Sequence, residues 1–245
     1  MSNERLRGAM AAAKLTKHAL AQRLGINVKT VERWITQGRR PHPDMRLATA
    51  RELGCDEAYL WPELLASRRA IAASVSEVVQ FWPTRSEVPH DVWRSLMRKA
   101  DRRMEVLVYA GGFLVESLDF ADVVRRKAAA GVDIRVLLGA SDSPEVNQRA
   151  SEEGLPSLPQ RCRSTLEYLW ETTAFPSVSI RTHSTPLYNS IFRFDDSMLV
   201  NTHSCGAYAA RSPVIHVERV PGGHLFGYYV QSFEAVWATA RPALL

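Results

Sequence analysis

Between Lys17 and Gly38 the spacing of small, turn-forming and apolar residues leaves few folds open. Thr16 can cap a helix, KHALAQRLG, that turns Ala19, Leu20 and Leu24 inward. Gly25 then supplies the backbone freedom that a sharp turn requires. Ile26 packs after the turn, and Asn27 caps a second helix, VKTVERWITQG, with Val31, Trp34 and Ile35 inward. The informative spacing is Ala21, Gly25, Val31: a small residue where two helices cross, a turn glycine, and an apolar residue beneath the second helix. Upstream, Asn3 to Lys14 places Leu6, Met10 and Ala13 on one helical face, and downstream Arg39-Arg40-Pro41 leads into MRLATARELGC. The pattern predicts an all-α domain over residues 1–61.

That segment resembles the lambda-repressor-like (Xre/Cro) helix-turn-helix family over about sixty residues. The resemblance implies that the helix beginning at Val28 enters the major groove of double-stranded DNA, its outward N-terminal residues at the base edges. Those residues are Val28, Lys29, Glu32 and Arg33. Lys29 or Arg33 could donate to guanine, Val28 could touch a thymine methyl, and Glu32 could accept from cytosine or orient Arg33. Thr16, Lys17, Gln37, Arg39 and Arg40 fall at helix ends and in the following loop, where phosphate contacts are made. For each side chain the plain alternative is solvation. A domain this small binds weakly alone, so a homodimer on a palindromic operator is implied.

The charge distribution agrees with this placement. Residues 1–61 hold 11 of the 31 Lys and Arg and 6 of the 26 Asp and Glu, leaving 20 of each in residues 62–245. The whole excess of +5 therefore lies in the segment expected to meet phosphates. No stretch approaches the ~20 apolar residues that a membrane span needs. The N-terminus MSNERLRGAM lacks the apolar core of a secretory signal, which predicts a cytoplasmic protein with no membrane partner. Cys55, Cys162 and Cys205 are far apart and unpaired in pattern, so buried free thiols are expected, with no metal site and no cofactor.

Residues 62–89 read as a helical connector, ELLASRRAIAASVSEVVQ, broken by FWPTRSEVP. Residues 90–245 read as an α/β domain. VPHDVWRSLMRKAD has Val92, Leu96 and Ala100 inward, MEVLVYAGG and VDIRVLLG suit buried parallel strands, and FADVVRRKAAAG suits the helix between them. SVSIRTHS, YNSIFRFDD, MLVNTH and PVIHVERV read as further strands, before a closing helix FGYYVQSFEAVWATA. The element order resembles one lobe of the phospholipase D-like fold. In FRFDDSMLVNTH, Asp195 stands at that family's Asp position, while Tyr188 and Ser190 stand where its His and Lys belong. Neither replacement supplies the nucleophile or the cation, so no catalytic residue is assigned. The same stretch also resembles a domain that follows Xre-type helix-turn-helix segments in actinobacterial regulators.

Polar residues crowd this region: Arg181, His183, Tyr188, Asn189, Arg193, Asp195, Asn201 and His203. In a regular strand Tyr188 and Ser190 face opposite to Asn189, Arg193 and Asp195, so they converge only where a bulge or turn breaks the alternation. Together with Arg85 and Tyr109 they form the candidate site for a small anionic or nucleotide-like effector, Arg181 and Arg193 serving as anchors. Hydrogen bonding across strands is the structural alternative. The leading functional expectation is a dimeric transcriptional regulator, a repressor, with an effector-sensing C-terminal domain. A DNA-targeted nuclease or phosphodiesterase of phospholipase D type is the second reading, and a constitutive DNA-binding protein the third.

Overall fold

A computed structural model describes residues 2–66 and 68–245, and the chain divides into two compact units. The first comprises Met1–Val78 and Arg219–Gln231, the second Val79–Glu218 and Ser232–Leu245.

Five helices open the first unit: α1 (Glu4–Ala12), α2 (Lys17–Arg23), α3 (Val28–Thr36), α4 (Pro43–Leu53) and α5 (Glu57–Leu60). Each of the first three starts where a short polar side chain accepts from the backbone. Asn3 accepts from Leu6 N–H, Thr16 from Ala19 N–H and Asn27 from Lys29 N–H. Gly25 holds φ +65° in the turn between α2 and α3, where a side chain would be strained. The buried core joins Leu6, Met10, Leu20, Ala21, Val31, Trp34, Ile35, Ala50, Leu60 and Trp61. Trp34 and Trp61 meet edge to face at 6.5 Å. After a 3-10 turn comes α6 (Arg68–Ser76).

The second unit is built on one mixed sheet. Its elements in chain order are β1 (Val78–Trp82), α7 (His90–Lys99), β2 (Arg103–Leu107), α8 (Gly112–Leu118), α9 (Phe120–Ala129) and β3 (Asp133–Gly139). They continue as α10 (Pro144–Glu152), α11 (Leu158–Leu169), β4 (Val178–His183), β5 (Asn189–Phe194), β6 (Ser197–Thr202) and β7 (Val214–Glu218). Helix α12 (Leu225–Thr239) and the short β8 (Arg241–Pro242) close the chain. The sheet order is β1-β7-β6-β5-β2-β3-β4-β8. β2, β3 and β4 run parallel, and β5 turns antiparallel against β2 and β6. The central strands are buried over most of their length, Met104–Leu107 on β2 and Ser190–Phe194 on β5 without a break. Met104, Val106, Ile134, Val136, Phe192, Phe194 and Leu199 are all but fully buried in the main core.

Several expectations change here. The division does not fall at 1–61, 62–89 and 90–245: residues 62–78 belong with the helical unit, and so does 219–231. The reason is a set of buried hydrogen bonds within that unit. Glu57 accepts from Gly222 N–H at 2.5 Å, Ser74 from His224 N–H at 3.0 Å, and Glu77 from Leu225 and Phe226 N–H at 2.7 and 3.3 Å. Glu77 thereby serves the first amides of α12, a role suited to a carboxylate. The Pro221-Gly222-Gly223 turn fits around it, since a Cβ on Gly223 would lie 2.3 Å from the Glu77 carboxyl carbon. The first unit thus includes the start of a C-terminal helix. Nor is 62–89 a continuous helical connector. Helix α6 ends at Ser76, and the β-branched pair Val78-Val79 begins an edge strand; Ser67 lies outside the described residues. On α7 the most buried positions are Trp93 and Met97, one residue beyond Val92 and Leu96. Cys162 is buried and Cys55 half-buried, but Cys205 is exposed.

Candidate functional site

The exposed surface of α3 is one candidate site. Val31, Trp34 and Ile35 hold the helix from beneath, at most 3% exposed. The opposite side carries Lys29, Glu32, Arg33, Thr36 and Gln37, which border a shallow hollow of about 280 Å³. Val28 is half-buried against the core, while Thr16, Lys17, Arg39 and Arg40 are exposed around the helix ends. Lys17 and Glu32 are not independent, for their side chains form an ion pair at 3.2 Å. Gly38 (φ +62°) ends the helical path and turns Arg39 and Arg40 away from it.

A second candidate is a cavity of about 290 Å³ in the second unit, beyond the carboxyl end of β2. Arg85, Tyr109, Gly111-Gly112, Phe113, Glu153, Ser190 and His203 border it, with Glu116, Arg161 and Tyr208 completing the walls. Local geometry fixes these groups. Phe113 packs edge-on against Trp93 at 5.1 Å and Phe192 at 5.5 Å, and the Arg85 guanidinium lies over its ring at 4.1 Å. The Tyr109 ring stacks on His203 at 6.0 Å, and its hydroxyl accepts from Leu187 N–H at 2.9 Å. Ser190 Oγ lies 3.0 Å from His203 Nε2. Arg149 pairs with Glu153 at 2.6 Å and donates to the Ser204 and Ala207 carbonyls, fixing the loop that leads to Tyr208. Gly111 (φ +68°) permits the turn into α8, where a Cβ would meet Val108 at 2.9 Å.

Burial sets the charge states. It pushes the His203 pKa down to about 4, with Arg149 and Arg85 adding repulsion, so this imidazole is neutral near pH 7. Desolvation also lowers the Arg85 pKa to about 10, against the partial support of Glu153.

Of the ten residues assigned to an effector site from sequence, the cavity gathers Arg85, Tyr109 and His203. The others have different work. Arg193 does not anchor an anion: Glu105, 0% exposed, lies between Arg193 and Arg135 in the strand register and pairs with both. Arg181 lies over the Trp237 ring at 4.3 Å and donates to its carbonyl. Asp195 sits at φ +54° in the β5–β6 turn and accepts from the amides of Asp101, Arg102 and Arg103 at 2.8, 3.0 and 2.7 Å. Asn201 donates to the Ser212 and Pro213 carbonyls. His183 donates from Nε2 to the Val108 carbonyl at 3.1 Å and accepts at Nδ1 from Thr185 N–H at 3.3 Å, one ring contact away from Tyr109. Tyr188 is 81% exposed, and Asn189, though half-buried, does not border the cavity. Sequence reasoning missed Phe113, Glu116, Glu153, Arg161 and Tyr208.

No protein-family model matches the chain, and no curated protein sequence does. Among solved structures it is similar to TrmBL2, an archaeal chromatin protein whose structure shows a novel mode of DNA binding. The identity is 12%, covering 84% of this chain and 73% of that one, with a TM-score of 0.44. It is also similar to Nuc from Salmonella typhimurium, a phospholipase D family member. There the identity is 11%, covering 62% of this chain and 88% of that one, with a TM-score of 0.40. Both scores are too low to carry a functional argument. Among the described residues no helix is long and apolar enough to cross a membrane, and no group of His, Cys, Asp and Glu is placed to hold a metal ion.

Proposed function

We propose that this chain is a sequence-specific regulator of transcription, a repressor of the Xre/Cro helix-turn-helix kind. It acts as a homodimer on a palindromic operator, and the second unit receives a small anionic effector. The observation that carries the reading is the surface of α3. Three buried residues clamp the helix, and Lys29, Glu32, Arg33, Thr36 and Gln37 stand together in solvent on its free side. A rigid helix with a protruding polar strip suits the major groove, and the cations at its ends suit phosphates. Edge strand β1, with Val78, Val79 and Phe81 exposed, supports association of two copies. An effector regulates only if it binds the free and DNA-bound forms with different affinity.

A non-catalytic role is supported by the fates of Tyr188, which faces solvent, Ser190, which is bonded to His203, and Asp195, which holds three backbone amides. The test is selection of binding sites from a random duplex pool with the full chain. Enrichment of a palindrome is expected, with at least tenfold weaker binding by Lys29→Ala/Arg33→Ala at unchanged helicity. No enrichment, or undiminished binding by the double variant, overturns the reading. Plasmid cleavage that persists through repurification of the full chain would instead support a DNA-targeted phosphodiesterase.

A further inference from the structure

Arg85 faces the cavity of the second unit without an anion to match it. Among the described residues no carboxylate comes within ion-pair distance of its guanidinium, and the side chain is only partly exposed. An unmatched charge in such a place is costly, and it persists most economically where a ligand supplies the counter-charge. Glu153 offsets it only in part. Glu153 is committed to Arg149 at 2.6 Å. Glu116 and Arg161 are both exposed at the cavity's margin and balance one another in number. Arg85 and Arg161 match Glu116 and Glu153 in number, so Arg85 is distinguished by lacking an ion-pair partner among the described residues, Glu153 being held by Arg149.

The orientation of that charge narrows the ligand further. The guanidinium lies over the Phe113 ring, which leaves its in-plane N–H groups free for an oxygen pair. Tyr109 and Tyr208 offer flat apolar walls, and Ser190 with His203 offers one polar point. The volume, about 290 Å³, is at the small end for ligand sites and suits a single ring better than a nucleotide. We infer that the cavity binds a small aromatic monocarboxylate, its carboxylate bidentate on Arg85 and its ring against Tyr109 and Tyr208. This inference rests on the reading of the second unit as an effector-binding unit and names the effector's chemical class.

The experiment is calorimetric titration of the full chain with benzoate, benzamide, inorganic phosphate and AMP. Saturable benzoate binding is expected, with benzamide, its uncharged counterpart, at least tenfold weaker. Arg85→Gln should lose benzoate binding by about tenfold or more, and Arg85→Lys should retain part of it, because the charge survives while the fork does not. Benzamide binding as well as benzoate, or Arg85→Gln binding benzoate as the wild type does, overturns the inference. The wild-type comparison decides even if a variant fails to fold. Binding of phosphate or AMP without benzoate overturns the carboxylate class and leaves the effector reading standing. Silence from all four, in protein that still binds its selected duplex, overturns both and leaves DNA recognition intact.

Discussion

Lys17 Nζ lies 3.2 Å from Glu32 Oε1, joining α2 to α3 across their turn. On the proposed function, a cation expected at a phosphate is thus partly neutralised by a carboxylate expected beside the bases. Both side chains are about half exposed, so the pair adds under about 1 kcal/mol to stability. Its consequence is for binding. Glu32→Gln should leave the melting temperature nearly unchanged, strengthen non-specific DNA binding, and steepen the slope of log K against log salt by about one. Fluorescence anisotropy across a salt series measures this, and an unaltered slope would show that Lys17 never meets a phosphate.

Glu105 is the central acid of the sheet, with Arg135 beside it on β3 and Arg193 on β5. Arg135 is held on its far side by Glu234 and lies over the rings of Phe233 and Trp237 at 5.0 and 5.1 Å. Removing the acid leaves two largely buried guanidinium groups facing each other. Glu105→Gln should destabilise the chain by about 3–5 kcal/mol in urea unfolding. A cost under about 1 kcal/mol would mean that water enters the sheet there.

Asp195 combines a left-handed backbone with acceptance from three amides. Asp195→Ala should cost about 2–3 kcal/mol, since the amides lose their acceptor and alanine resists the backbone angle. Asp195→Asn, which tolerates that angle and keeps one carbonyl oxygen, should cost less. Equal losses for the two variants would place the effect in charge alone.

Burial raises the Glu57 pKa to about 7, opposed by Arg46 and by the Gly222 N–H. The folded chain therefore holds a proton that the unfolded chain releases near the ordinary glutamate value of about 4.3. The stabilisation from this group is complete below that value and is lost as pH rises toward 7. Between pH 4.5 and 7 the wild type should lose melting temperature relative to Glu57→Gln. Scanning calorimetry of the two at pH 5 and pH 7.5 checks the sign, and a gap that widens in the opposite direction refutes it.

Much of the helical unit was legible from local sequence. Asn3, Thr16 and Asn27 cap the helices they precede, and Gly25 and Gly38 take left-handed angles where the helices stop. Caps and turns act over three or four residues, so the order of residue types carries them. The central strands were legible for a similar reason, since their apolar and β-branched runs are local properties, whereas edge strand β1 was read as part of a helical connector. The cavity was only half legible. Arg85, Tyr109 and His203 could be named, but Arg161 on α11 looks like any solvated arginine, and Phe113 like any core residue.

What the residue order determined alone was the helices opened by Asn3, Thr16 and Asn27, the central strands, and the exposed strip of α3. Tertiary structure decided which arginine is free. Strand order places Glu105 between Arg193 and Arg135 and so consumes the two, while Arg85, distant in sequence from every other cavity residue, reaches the end of β2 with no ion-pair partner among the described residues. Charge pairing across a sheet depends on register between segments scores of residues apart, and no local pattern encodes that register. The same physics brings residues 219–231 into the helical unit, where buried carboxylates of Glu57 and Glu77 find backbone amides more than a hundred positions away.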